Sequence, residues 1–388
     1  MKMTALRVPL VRPSLGEQEI AGAARVIASG WLTQGPEVEA FEREFAAAVG
    51  ARYAVAVSNC TTAMQLALAC VGVKAGDEVV TVSHSFVATA NAVTAAGATP
   101  MFVDVRRETL GMDPAALARA VTPRTSAILC VHQVGLPCDL EAILAIAAER
   151  RIPVIEDAAC AVGSELEFEG RWERIGRPHG LIACFSFHPR KVITTGDGGM
   201  LTTRDRTLAD RFKLLRQHAM SVSDRQRHES PDVIFEEYLE PAFNYRLTDL
   251  QAAVGRPQLA RLDGIVAERR ALASRYIEAF ASNPVVAPLR EAAWSRTNWQ
   301  SFPVFLRGGA ALSQREALQH LVDRGVACKR GVGNAHQEPA YAGRGPWSLP
   351  ESEWLRDNTI LLPLFHGMTQ AEQDCVIDAV TTLQGARM

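Results

Sequence analysis

From about residue 50 to 205, short apolar runs alternate with stretches whose apolar positions recur at helical spacing. Seven runs read as strands: Ala54–Val57, Glu78–Val82, Pro100–Val105, Ser126–Val131, Ile152–Ile155, Leu181–Phe187 and Gly199–Thr203. Between them, Thr62–Cys70, Val87–Ala96, Pro114–Ala120 and Leu140–Arg150 read as helices. Near-continuous β-branched runs separated by helices describe a sheet buried on both faces. The expected class is therefore α/β, with ligands at the carboxyl ends of the strands.

The pattern changes near residue 260. Leu262–Phe280 reads as a long helix, Phe302–Leu306 as a strand, Arg315–Arg324 and Ala371–Leu383 as helices. This fits a smaller α+β domain over residues 261–388, after a larger one over residues 1–260 that includes an N-terminal arm. Pro257 interrupts a stretch of helical pattern and is expected to kink or end it. Ser221–Pro241 is polar and charged and reads as a long surface loop or lid.

Composition narrows the function classes. The chain has 388 residues, 48% hydrophobic and 22% charged, as in an ordinary globular protein. A formal charge of −2 gives no general pull toward nucleic acid or anionic membrane. No apolar run of about 18 residues suggests a membrane span. Met1 to Arg7 carries no apolar core of leader length. The eight cysteines are scattered without a Cys-x-x-Cys pair, so zinc is not expected. Reduced, buried thiols in the cytoplasm are the simplest reading.

Three segments carry candidate chemistry. Phe185-Ser186-Phe187-His188-Pro189-Arg190-Lys191 runs from a strand into a turn ahead of a glycine cluster at Gly196, Gly198 and Gly199. A Schiff-base lysine needs a fixed position and a depressed pKa, and this turn could give both; a surface turn with an incidental lysine is the plain alternative. Asp157 follows a buried strand, where an acid could hold a pyridine nitrogen protonated, or simply cap a helix. Glu156 is expected to point to the other side and be structural. Ser58-Asn59-Cys60-Thr61-Thr62 lies between a strand and a helix, where free amides bind phosphate or an ordinary N-cap forms.

Taken together and in order, these motifs resemble the DegT/DnrJ/EryC1/StrS family, the sugar-nucleotide aminotransferases of pyridoxal-phosphate (PLP) fold type I. The likeness runs from Trp31-Leu32-Thr33-Gln34-Gly35-Pro36 through Phe86-Val87-Ala88-Thr89-Ala90-Asn91 and Tyr245-Arg246-Leu247-Thr248-Asp249 to Leu361-Leu362-Pro363-Leu364-Phe365. The resemblance implies a large domain with a mixed, mostly parallel sheet and a smaller C-terminal domain. It implies PLP on Lys191, Asp157 on the ring nitrogen, Phe86 stacked on the ring, and Ser186 with Thr61 and Thr62 at the phosphate. It also implies a homodimer in which Asn244 reaches the partner's phosphate site. Three positions depart from the family's usual pattern: Cys60, often Gly; Cys160, often Gln or His; and Pro257, inside a stretch of helical pattern. A related branch with His at the lysine position performs dehydration, and Lys191 separates this chain from it.

The implied reaction moves an amino group from glutamate or glutamine to a keto-sugar on a nucleoside diphosphate. Lys329, Arg330 and Arg296 are the cations proposed for the diphosphate, and His336 and Tyr341 are placed at the mouth. The same residues also read as solvated surface charge and idle loop positions. Two other functions stay open: transamination of a non-nucleotide ketone such as a cyclitol, and a PLP-fold regulator without turnover.

Overall fold

The computed structural model describes residues 7–307 and 312–385; most of the Met1–Arg7 segment lies outside the described residues. Helices α1 (Glu17–Ser29) and α2 (Pro36–Val49) come first. Strands and helices then alternate: β1 (Tyr53–Val57), α3 (Cys60–Cys70), β2 (Glu78–Val82), α4 (Ala88–Ala95), β3 (Thr99–Val103), α5 (Pro114–Ala120), β4 (Thr125–Val131), α6 (Leu140–Arg150) and β5 (Val154–Asp157). A hairpin, β6 (Glu165–Phe168) and β7 (Arg171–Arg174), precedes β8 (Ile182–Ser186) and β9 (Gly199–Thr203).

The seven-stranded sheet has the order β1-β9-β8-β5-β4-β2-β3. Its pairs β2–β3, β2–β4, β4–β5 and β5–β8 are parallel, whereas β9 is antiparallel to both neighbours. Alternate residues of each strand serve different cores, as a period of two requires. Ala54 and Ala56 join one buried apolar cluster while Val55 and Val57 join another. Burial on both faces explains why the strands were legible as unbroken apolar runs.

β5 begins two residues later than the apolar run suggests. Ile152 still donates its amide to Ala147 O at the end of α6, and Pro153 has no amide to give. The strand therefore closes on Asp157 itself, paired with Val131 and Cys184, so the acid sits at the carboxyl edge of the sheet.

After the sheet come α7 (Arg206–Leu215), the short α8 (Asp224–Glu229), α9 (Asp249–Ala260) and α10 (Leu262–Ala279). Pro257 lies inside α9, which runs three residues further and stops at Arg261. The carbonyl that Pro257 leaves without its helical amide belongs to Ala253, and α1 crosses there. A Cβ on Gly22 would come within 2.8 Å of that oxygen, so a glycine is needed for the crossing. The segment Ser221–Pro241, expected to be a surface loop, contains the short α8 and after it carries exposed Val233, Phe235, Tyr238 and Leu239.

The remainder supplies β10 (Val286–Pro288), β11 (Ser295–Arg296), β12 (Phe302–Leu306), α11 (Gln314–Asp323), β13 (Lys329–Arg330), α12 (Pro350–Asn358), β14 (Thr359–Leu362) and α13 (Gln370–Thr381). Four of these strands form an antiparallel sheet in the order β10-β12-β14-β13. Connections from this region to the rest of the chain include β11 paired with β6, a bridge between His84 and Asn334, and one between Val8 and Val326, with Ala327 donating to Val8 O at 2.9 Å.

Candidate active site

A cavity of about 700 Å³ opens at the carboxyl ends of the parallel strands. One wall is the start of α3. Asn59 caps this helix by accepting the Thr62 amide at 2.9 Å, and the Thr62 hydroxyl donates to Asn59 O at 2.8 Å. The Thr62 donors are thus spent on the cap. The amides of Cys60 and Thr61 lie ahead of the first helical hydrogen bond at the cavity wall, the donors that an anion would need. Gly199 makes this wall possible: a Cβ there would meet the Asn59 carbonyl at 2.5 Å. Ser186 stands beside it at the end of β8 and is nearly buried.

The floor is Asp157. Its Oδ2 accepts the Thr89 hydroxyl at 2.8 Å, its Oδ1 accepts the Ala159 amide at 3.1 Å, and Ser85 lies 2.7 Å from Thr89. Burial pushes the Asp157 carboxyl above its ordinary range, and the two donors and Lys191 only partly offset this. Among the described residues no ion pair includes Asp157. A buried acid with directed donors and no cation against it fits a cationic ring nitrogen. Phe86, at the cavity edge with 72% of its surface exposed, fits a planar ring.

Lys191 follows the β8 turn. Its loop is held from both sides: Gln258 of α9 bonds the amide and carbonyl of Thr194 at 3.0 and 2.7 Å, and Gln300 donates to Arg190 O at 3.0 Å. Lys191 Nζ donates to Cys160 Sγ at 3.1 Å. The expectation of a depressed lysine pKa is not met by the protein's own groups. Burial pushes the ammonium down, but Cys160, Cys60 and Asp157 push it further up, and the net direction is up. Cys60 is itself held well above the usual thiol range by burial, so at neutral pH it is uncharged and its share of the upward push is absent.

The cavity brings together Thr61, Thr62, Phe86, Asp157, Ser186, Lys191 and Lys329. It does not include Asn244, which is exposed on the strip paired with Gln217. Arg296 lies outside as well, 3.7 Å over the ring of Trp172, and Arg330 points to Glu338 at 3.6 Å. His336 is tied inward to Ser83 at 2.6 Å. Tyr341 does not line the mouth: it is buried, with its hydroxyl on Asn91 at 2.7 Å and its ring against Phe102, because an aromatic gains more from that pocket than from solvent. Glu156 is structural, as expected, accepting from the Gly180 amide at 2.8 Å and facing His132 at 3.1 Å.

Sequence reading missed Thr89, Arg190 and Asn298. Thr89 follows Phe86 by three residues, the polar break in an apolar helix face, and that was the available signal. Asn298 donates to Cys160 O and Val162 O, both at 2.8 Å, and holds the turn that carries Cys160 from a strip remote in sequence.

Residues 13–381 match the model of the DegT/DnrJ/EryC1/StrS aminotransferase family. The chain belongs to this family. It is a transaminase, and its cofactor is pyridoxal phosphate, for which the walls just described are suited. Among solved structures it is similar to the aminotransferase TlmJ from Streptoalloteichus hindustanus, with 33% identity over 98% of this chain and 99% of that one, TM-score 0.89. DesV from S. venezuelae, solved with a ketimine intermediate, is 34% identical over 99% and 100%, TM-score 0.88. A Streptococcus pneumoniae protein described as a sugar aminotransferase, solved in its PLP form, is 25% identical over 97% and 98%, TM-score 0.89. The eight cysteines are free, no group of three metal-binding side chains occurs among the described residues, and no described helix is long and apolar enough to cross a membrane.

Proposed function

We propose that this aminotransferase transfers the amino group of glutamate or glutamine to a keto-sugar carried on a nucleoside diphosphate, for aminosugar biosynthesis. The observation that carries the reading is the meeting of Lys191, Asp157 and the free amides of α3 in one cavity. The likeness to a protein described as a sugar aminotransferase supports the substrate class.

Bound pyridoxal phosphate supplies an electron sink for the negative charge that develops on the substrate carbon bearing nitrogen. Asp157 holds the ring nitrogen protonated, and Thr89 and Ala159 keep its carboxylate aimed. Lys191 would hold the cofactor and would move a proton through its Nζ. Phe86 covers one face of the ring. Ser186 and the amides of Cys60 and Thr61 take the phosphate.

Asn244 lies outside its own cavity and serves the partner's phosphate site in a homodimer. Exposed apolar side chains support a second copy as cover: Ile20 and Ile27 on α1, and Val233 and Phe235 before α9. The larger domain ends at residue 260 and the smaller begins at 261, at the break between α9 and α10. Free thiols fit the reducing cytoplasm.

The test uses the holoenzyme's visible spectrum. Glutamate or glutamine should bleach the cofactor band, and a keto-sugar nucleotide should restore it with product formed. If a free cyclitol ketone restores it as well as any nucleotide sugar, the substrate class is wrong.

A further inference from the structure

The cavity has a second pole that the family motifs do not describe. Arg190, one residue before Lys191, and Lys329 on β13 both line it, from separate parts of the fold. Neither makes an ion pair among the described residues. The acids on the cavity wall are otherwise engaged. Asp157 is held by Thr89 and Ala159, and Asp197 accepts the Gly198 amide at 3.1 Å. His188, also on this wall, is pushed below its ordinary pKa by burial, then by Lys191 and Arg190 against the pull of Asp197. Lys329 is pushed down as well, by burial and then by Arg190, Arg330 and Lys191, although its side chain reaches solvent.

Arg190, Lys191 and Lys329 outnumber the two carboxylates of the cavity, Asp157 and Asp197, and neither Arg190 nor Lys329 is paired with one; an anion entering between them relieves their repulsion. The cofactor's phosphate has its own site at the start of α3. The anion that suits Arg190 and Lys329 is therefore a different one. Arg190 offers a planar fork matched to carboxylate or phosphate, and Lys329 a point charge beside it. Gln300 bonds the Arg190 carbonyl and fixes the backbone from which the guanidinium extends.

We propose that Arg190 and Lys329 form an oxyanion subsite for the substrate, taking either a carboxylate of the amino donor or the diphosphate of the acceptor. This rests on the reaction proposed for the enzyme, and it moves substrate recognition from Arg330 and Arg296 to Arg190. Arg330 has Glu338 within reach and Arg296 is stacked on Trp172 outside the cavity.

The experiment titrates the holoenzyme with glutarate and with inorganic pyrophosphate by calorimetry, for the native chain, Arg190→Gln, Lys329→Gln and the double variant. At least one probe should bind the native protein, and the double variant should bind it at least tenfold more weakly. The two half-reactions then name the source. A raised KM for the donor alone, with kcat little changed, assigns the carboxylate; a raised KM for the acceptor alone assigns the diphosphate. Melting curves and the cofactor spectrum identify a misfolded variant, and Arg190→Gln, at an exposed position, decides the question if Lys329→Gln does not fold. Unchanged probe affinity together with unchanged KM for both substrates overturns the proposal. Probe binding does not depend on the acceptor being a sugar, so an error in the proposed substrate class would leave this test standing.

Discussion

Asp157 is a burden to the protein until a cation reaches it. Its folded pKa lies above the ordinary carboxyl value because burial disfavours the charge. The folded state thus keeps the proton over a window where the unfolded chain has already released it. Stability falls as pH rises through that window and stays lower above it. Asp157→Asn should therefore leave the cofactor-free protein at least as stable at neutral pH while cutting turnover by ~100-fold or more, the scale of electrostatic catalytic groups. Paired melting curves and steady-state rates check this; near-normal turnover would sink the assignment. Cys160 makes a second residue-scale test. It raises the pKa of Lys191 through a 3.1 Å contact, and a protonated amine cannot capture the cofactor. Cys160→Ala should shift the pH midpoint of cofactor uptake downward, followed as the rate at which colour appears in stripped protein. An unchanged profile would show that the thiol does not tune the lysine. Borohydride should fix the cofactor to the peptide containing Lys191, and label found on Lys213 or Lys329 instead would refute that role. The places of Lys191 and Asp157 in the cavity were legible in the sequence because one follows an apolar strand at a turn and the other ends one. Arg190 was not, since its meaning depends on Lys329, which β13 brings in from far along the chain.

Among the elements, the start of α3 is the most exposed to damage. Gly199 on β9 lets the Asn59–Cys60 turn lie against the sheet, and a methyl group there would press on backbone that cannot swing aside. Gly199→Ala should cost about 1–3 kcal/mol, the usual range for overpacking. It should also weaken cofactor binding, because the amides of Cys60 and Thr61 move with the turn. A melting temperature together with a cofactor titration separates the two effects; a stability loss with unchanged cofactor affinity would place the phosphate elsewhere. The sheet strands were readable because they are buried on both faces. The β6–β7 hairpin was not: Glu165 to Phe168 and Arg171 to Arg174 are charged, mostly half-buried segments whose pairing comes from the turn at Glu169-Gly170 and from β11. The two-residue β13 has no periodicity to read, and only its place beside β14 defines it.

At the scale of the whole molecule, the proposed role of Asn244 in a partner's phosphate site predicts that two chains are needed. Lys191→Ala and Asn244→Ala proteins, each inactive, should regain part of their activity after mixing and subunit exchange. In a mixed dimer one site takes its lysine from one chain and its asparagine from the other. A fully active monomer in sedimentation would rule the shared site out. The exposed position of Asn244 could not be inferred from its neighbours, as Leu247, three residues on, is fully buried. The first described residues have a consequence for anyone handling this enzyme. Arg7 and Val8 are stitched to Gly325 and Ala327, and Leu10 and Val11, just after them, form part of the cavity wall. The segment from Arg7 to Val11 is thus a working part of the site rather than a spare strip. Any cut or graft that disturbs residues 7–11 would tug on the wall beside the substrate.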